Sequence, residues 1–281
     1  FEPRCQVIYN QENTGFAAAQ NQAIRCARGE WILCLNPDVV LSREFVSQLV
    51  AVGKAHPEAG TVCGKLLRWN PEAEPHETNL LDSTGILFTR NLRHLDRGAD
   101  EIDAGQYNRP QYVFGGTGAA ALYRRDFIDD VSVEGEFFDE EFFAYREDAD
   151  LAWRAQVMGW RCFYMPAAIA WHVRRVTPER RGQLPLLINW HSAKNRFLMR
   201  GKNASGWLCR RLFWPVLWRD LMVVGYALLR DWRLLSALRY VWQTRENIRR
   251  KRAAIQSRRR VDDRDLLSWF TESHGPEEVT L

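Results

Sequence analysis

The chain has 281 residues, 46% hydrophobic and 12% aromatic. That suffices to bury a sizeable core, as one large domain or as a domain with an appendage. Its six cysteines are scattered without a Cys-x-x-Cys pair, so they indicate neither a zinc site nor a disulfide framework, and they read as small buried residues in a reducing compartment. The net charge of +4 is uneven: 20 Lys+Arg face 26 Asp+Glu in residues 1–193, 18 face 3 in 194–260, and 1 faces 6 in 261–281. No signal peptide is evident, and the longest apolar run, Leu221 to Leu229, is too short to span a bilayer.

Cys5 to Tyr9 reads as a strand, Asn10 to Gly15 as loop, and alanine-rich Phe16 to Ala27 as a helix, with Gly29 suited to its C′ end. Trp31 to Leu35 is a short apolar run of the kind buried on both faces in parallel sheets. Pro37 cannot donate to a ladder, so the strand turns there and leaves Asp38 just past its carboxyl end, where open α/β sheets bind ligands. A carboxylate there can hold a hard cation and, through it, a diphosphate. The plain-turn reading of Asn36-Pro37-Asp38 stands beside this one and, on these residues alone, ahead of it. Ser42 suits the N-cap of a helix from Arg43 to Lys54. The βαβ order implies a parallel pair with a right-handed crossover, and Thr61 to Leu67 suits another strand.

Between Asn70 and Pro110 the pattern is weak, an excursion with a short hairpin around Leu80–Leu81 and Ile86–Phe88. Tyr112 to Phe114 is a strand, broken by Gly115-Gly116-Thr117-Gly118. There the glycines permit either close approach to a ligand or a simple bend, and Ala119 to Tyr123 resumes the extended run. Glu147, Asp148 and Asp150 open a helix that runs through Met158, with Gly159 at C′. Carboxylates in a first turn suit the helix macrodipole. Three within four residues exceed what a cap needs, and one facing a cleft there would stay ionised, as a general base requires. Arg161 to Tyr164 and Ala168 to Trp171 read as short strands around Pro166. His172 follows, either structural or a second metal ligand beside Asp38, because imidazole and carboxylate both suit Mn²⁺-like ions. Leu184 to Arg200 reads as helix.

In this order, Asn13-Thr14-Gly15-Phe16-Ala17 with Asn21, Gly29-Glu30-Trp31 into Leu35-Asn36-Pro37-Asp38, Gly115 to Ala119, Phe138-Asp139-Glu140 through Phe143, Glu147 to Arg154, His172 and Trp190-His191 to Asn195-Arg196 resemble the family 2 glycosyltransferases. These are the inverting GT-A class, and the likeness is to bacterial rhamnosyltransferase-like members that build cell-surface polysaccharide. The resemblance covers about residues 1–200. It implies an α/β fold, with a mixed, mainly parallel Rossmann-related sheet flanked by helices, and a catalytic domain over 1–200 followed by a helical extension over 201–281. It further implies that Asp38 holds the metal where the family has Asp-x-Asp, with Asn36 in place of the first carboxylate, and that His172 completes the coordination of Mg²⁺ or Mn²⁺. Asp148, beside Glu147, matches the catalytic base. Asn13, Gly15, Asn36 and Asp38 fall on the donor side; Gly115, Gly116, Thr117, Gly118, Asp150 and Arg154 fall on the acceptor side.

The reaction so implied moves a sugar from a nucleotide-sugar, dTDP-rhamnose or a UDP-sugar, to a saccharide or lipid-linked acceptor. Inversion in one displacement needs no enzyme nucleophile. Members of the family begin with two further strands that hold the nucleotide base, so this chain alone is expected to turn over more slowly than roughly 1 per second. A catalytically impaired remnant serving as a partner-binding or membrane-associated module is the alternative. Residues 207–260 alternate Trp and Leu clusters with arginines. That pattern suits a helix lying on an anionic membrane face or an apolar stripe packed on the body. Nucleic acid is not expected, because no binding motif accompanies the basic run. The expected location is cytoplasmic, peripheral at the inner face of the cytoplasmic membrane.

Overall fold

A computed structural model describes residues 5–72, 78–174, 186–230 and 232–271. Residues 73–77 of the predicted excursion, 184–185 of the predicted helix and 272–281 of the acidic tail lie outside them. The first half runs α1 (Phe16–Cys26), β1 (Trp31–Leu35), β2 (Val39–Leu41), α2 (Phe45–Ala55), β3 (Ala59–Arg68), β4 (Leu81–Ser83), β5 (Ile86–Thr89), β6 (His94–Asp96), β7 (Gln111–Val113) and β8 (Ala120–Arg124). Next come α3 (Arg125–Val131), α4 (Glu147–Val157), β9 (Arg161–His172) and α5 (Leu186–Asn203). The last elements are α6 (Gly206–Arg211), α7 (Phe213–Arg230), α8 (Leu235–Gln243), α9 (Arg245–Ser257), α10 (Asp263–Ser268) and β10 (Phe270–Thr271).

The main sheet has the order β1-β8-β3-β9-β2, with β4 added on β3 and β7 on β9. It is the expected mixed α/β sheet flanked by helices, and its parallel character lies in β1, β3 and β9, which point the same way. β3 and β9 pair directly, while β8 lies between β1 and β3, antiparallel to both. β1 and β3, the strands of the expected βαβ unit, are therefore parallel in direction but not neighbours. β8 takes the central place because both its faces are apolar. Ala120 and Leu122 pack toward α2 with Phe45 and Leu49, while Ala121 and Tyr123 pack toward α3 and α4 with Phe127 and Ala149.

Three local expectations are corrected. Residues 5–9 form no strand: β1 pairs only with β8 among the described residues, and Val7, Ile8 and Tyr9 are exposed. Ala27 is extended, which closes α1 at Cys26 without Gly29. The cap of α2 is Glu44, and Ser42 contributes its carbonyl rather than its hydroxyl, accepting from the Phe45 N–H at 3.1 Å. Of the cysteines, Cys34, Cys63 and Cys162 are buried, and Cys5, Cys26 and Cys209 are exposed.

The two short strands expected around Pro166 are one strand, β9, with a bulge. Gly64 pairs with Met165 and the next β3 residue, Lys65, with Ile169. Gly64 makes the bulge possible, since a Cβ there would lie 2.3 Å from the Ala168 carbonyl. The β5–β6 hairpin falls in the predicted excursion, and β10 pairs parallel with β5 to complete a second sheet.

Beyond α5 the chain is helical. Leu208, Ile248, Ile255, Leu266 and Phe270 join the same core as Trp153 of α4. α7 departs from this pattern. Its Asp220 turns inward to Arg196 (3.1 Å) and Arg200 (2.5 Å) of α5, and Ala227 is buried. Trp214 (75% exposed), Trp218 (67%), Leu221, Met222 and Leu229 (86%) face outward; their spacing puts them on one side of the helix.

Candidate active site

A hydrogen-bonded path joins the sequence-predicted residues. The N–H of Asn36, one residue past β1, donates to the Ala119 carbonyl at 2.9 Å. This ties the Asn36-Pro37-Asp38 turn to the glycine segment. The preceding residue, Gly118, donates its N–H to Asp148 Oδ2 at 2.9 Å. On the other side, Val173 N–H donates to the Asp38 carbonyl at 3.0 Å, and β2–β9 pairing sets Val39 opposite His172. His172 Nε2 thus stands 3.6 Å from Asp38 Oδ1. Residues from four separated stretches are thus linked through hydrogen bonds and strand pairing.

Asp38 Oδ1 and Asn36 Oδ1 are buried and have no hydrogen-bond partner among the described residues. An unsatisfied buried oxygen is costly, so two at one turn point to a ligand supplied from outside. Two donors on one small cation, each about 2.1 Å away, stand roughly 3–4 Å apart, and the Asp38–His172 spacing fits. No group of three His, Cys, Asp or Glu side chains able to hold a metal occurs among the described residues. A cation held here would have this pair as its protein ligands.

Asp148 sits in the first turn of α4, its Oδ1 accepting from the Ala149 N–H at 2.7 Å. Burial raises its pKa, the Gly118 and Ala149 N–H groups oppose that, and the charge of Asp96 adds to it. Burial and then the neighbouring Asp148 push Glu147 much further up, and its Oε2 lacks a hydrogen-bond partner among the described residues. Asp148 is therefore the better base of the two. It is held by a strained approach: Phe143, Tyr145 and Arg146 all have positive φ (65°, 71° and 73°). Such conformations cost about 1–3 kcal/mol each and persist only where the surroundings impose them. Asn195 of α5 imposes them, its Nδ2 donating to the carbonyls of Phe142 (2.9 Å), Ala144 (2.9 Å) and Tyr145 (2.7 Å). His191 stacks on Phe143 with centroids 4.9 Å apart, and burial, with Lys194 nearby, lowers its pKa to about 4.

The donor-side corner reaches the same place. Asn13 Oδ1 accepts from the Gly15 N–H at 3.0 Å, and Gly15 (φ +84°) lies against Phe143, where a Cβ would be 2.6 Å from the carbonyl. A Cβ on Gly118 would lie 3.4 Å from Asp148 Cβ and 3.6 Å from the Phe16 ring. Gly115 and Gly116 are packing positions, since a Cβ would lie 2.3 Å from Ala152 Cβ at the first and 3.1 Å from Cys63 Cβ at the second; Thr117, between these two and Gly118, is half-buried.

Two expected acceptor residues face away from Asp148. Asp150 is fully buried and accepts from Lys202 (3.0 Å) and Asn203 (2.7 Å). Arg154, 1% exposed, donates to the carbonyls of Val131 (2.9 Å) and Phe137 (2.8 Å). Helical geometry explains the miss: two residues beyond Asp148 a side chain points to the far side of α4, where it enters an ionic core.

Sequence reasoning overlooked Asp82, whose Oδ2 lies 2.7 Å from His172 Nδ1. Arg174 Nε lies 3.2 Å from Asp82 Oδ1 and also pairs with Asp96; Arg68 Nε lies 3.7 Å from Asp82. Asp82 and Asp96 come from the weakly patterned excursion, and nothing in its spacing marks them.

The description "Glycosyl transferase family 2" matches residues 1–132. The poly-beta-1,6-N-acetyl-D-glucosamine synthase of Staphylococcus aureus (strain COL) is 25% identical over 191 residues, covering 68% of this chain and 41% of that protein. The synthase of the same name from Staphylococcus epidermidis (strain ATCC 35984) is 23% identical over 206 residues, covering 73% and 42%. The chain thus spans about two fifths of the length of these curated relatives. Among solved structures, that of GalNAc-T7 with UDP, GalNAc and Mn²⁺ aligns with a TM-score of 0.51 at 11% identity, over 70% of this chain and 37% of that one, a likeness of fold. Over residues 1–132 the chain is similar to the family 2 glycosyltransferases, and its architecture is similar to that of a glycosyltransferase of known structure.

Proposed function

We propose that the protein transfers a sugar, with inversion, from a nucleotide-sugar to a saccharide or lipid-linked acceptor in the making of a cell-surface polysaccharide. The observation that supports this reading is the path from Asp148 through Gly118, Ala119 and Asn36 to Asp38 and His172, which ties a candidate carboxylate base to a candidate cation-holding pair. Asp148 takes the proton of the acceptor hydroxyl as it attacks the anomeric carbon. Asp38 and His172 would hold a divalent cation, Mn²⁺ suiting the mixed donor set. When bound, it offsets the charge on the departing nucleoside diphosphate. Gly118 keeps Asp148 in place, and the Asn13–Gly15 corner borders the donor.

The test is a screen of dTDP- and UDP-sugars with Mn²⁺ on the full-length protein. Transfer that follows the metal supports the reading, while loss of donor binding and transfer across the panel favours a non-catalytic module. In calorimetric titration of Mn²⁺ with donor present, Asp38→Ala and His172→Ala are each expected to weaken binding at least tenfold. Unchanged affinity in both would remove the metal role.

The outward stripe of α7 supports attachment to an anionic membrane surface. A helix in a water-soluble fold normally turns its apolar face to the core, and α7 turns Asp220 inward and its tryptophans outward. Exposed Arg210, Arg211 and Arg239 flank the stripe and complement acidic headgroups. No described helix is long and apolar enough to cross a membrane, so α7 would lie in the interface. Trp214→Ser with Trp218→Ser is expected to lower binding to phosphatidylglycerol vesicles more than tenfold. Equal binding by the variant, or no preference for anionic over neutral vesicles, would refute this attachment.

A further inference from the structure

We infer that Asp82 is a positioning residue that fixes the proton of His172 on Nδ1 and so turns the bare Nε2 toward Asp38. The inference rests on the metal reading above. Asp82 is 1% exposed, and its two oxygens have separate duties. Oδ2 lies 2.7 Å from His172 Nδ1; Oδ1 lies 3.2 Å from Arg174 Nε and 3.7 Å from Arg68 Nε. These guanidinium contacts are ion pairs without hydrogen-bond geometry, and an ionised carboxylate can only accept. The carboxylate then accepts from Nδ1–H, which in the neutral ring leaves Nε2 as the lone-pair nitrogen, 3.6 Å from Asp38 Oδ1. A carboxylate behind a metal-binding imidazole orients the ring and raises its basicity.

Asp82→Asn separates this role from mere packing, because it keeps the shape and reverses one hydrogen bond. The charged donors of Arg174 and Arg68 hold the amide oxygen on their side, so the amide N–H₂ faces His172 Nδ1. Nδ1 must then accept, and the proton moves to Nε2. Two measurements on the full-length protein test this: the ¹⁵N resonances of the His172 ring without metal, and the affinity for Mn²⁺ alone by electron paramagnetic resonance. The expected result is an Nδ1–H ring in the native protein and an Nε2–H ring in Asp82→Asn. Mn²⁺ affinity should be about 10- to 100-fold lower in the variant, with its thermal unfolding still cooperative. An Nε2–H ring in the native protein overturns the inference, as does native Mn²⁺ affinity in folded Asp82→Asn. If His172→Ala also binds Mn²⁺ like the native protein, the metal reading itself fails, whereas a loss there without one in Asp82→Asn sinks the role of Asp82 alone.

Discussion

Asp148→Asn in the full-length protein is expected to lower the transfer rate by about a hundredfold to ten-thousandfold, the span associated with losing a general base. Donor binding should survive. The amide oxygen can still accept from Gly118 N–H, as Oδ2 does at 2.9 Å, so this part of the site keeps its shape. Steady-state rates and donor titration on the same preparation separate the two effects, and undiminished turnover would remove Asp148 from the reaction. The native enzyme should also show an acid limb. Burial, aided by Asp96, raises the Asp148 pKa, and the base works only when deprotonated. Activity therefore falls as pH drops through that raised value, and Asp148→Asn should lose the limb.

The second large effect is on stability. Asp139, Lys202, Lys251 and Asp150 form an ionic cluster inside the protein. Asp139 pairs with Lys202 and lies 2.6 Å from Lys251 Nζ, and Lys202 lies 3.0 Å from Asp150. Each has a side chain at most 6% exposed. Asp139→Ala would remove the carboxylate shared by two buried ammonium groups, leaving Lys202 with Asp150 and Lys251 with Glu136 at 3.3 Å, and breaking a buried pair costs about 3–5 kcal/mol. Denaturant unfolding should show that loss, whereas a change under about 1 kcal/mol would mean that water already screens the cluster. The pH dependence has a definite sign. Burial would raise the Asp139 pKa, but Lys202 and Lys251 together hold it well below the usual range. The group's contribution is therefore complete above the unfolded carboxylate value near 4 and is lost as pH falls through the depressed folded value.

Much of this was legible from local chemistry. Pro37 ends β1 where a proline must, and Gly159, with φ +83°, lies just past α4 as a C′ glycine should. Asp38, Asp148 and His172 were singled out because each follows a turn, a helix start or a strand end that the sequence marks. Asp82, Asp96 and the triple role of Asn195 were not. Their importance is set by what lies opposite them in space, and Asp82 is 90 residues from His172. Asp150 and Arg154 misled for the converse reason. Proximity in sequence to Asp148 does not put a helical side chain on the same face, and only packing against Lys202 and Asn203 reveals the direction. The outward tryptophans of α7 had two readings in the sequence, core or interface, and their exposure is a property of the whole fold.

The irregularity at Pro166 governs more than one strand. Before it, even-numbered Cys162 and Tyr164 pack on the side of Leu81 and Tyr107; after it, odd-numbered Ile169 and Trp171 do so, and the even-numbered Ala168 and Ala170 have crossed to the side of Phe45. The extra residues invert the parity of everything downstream, His172 included. Because Met165 and Ile169 pair with successive β3 residues, three residues are extra, and it is their odd number that sets the side on which the imidazole stands. The chemistry of the site is thus phased by a miscount in a ladder several residues upstream.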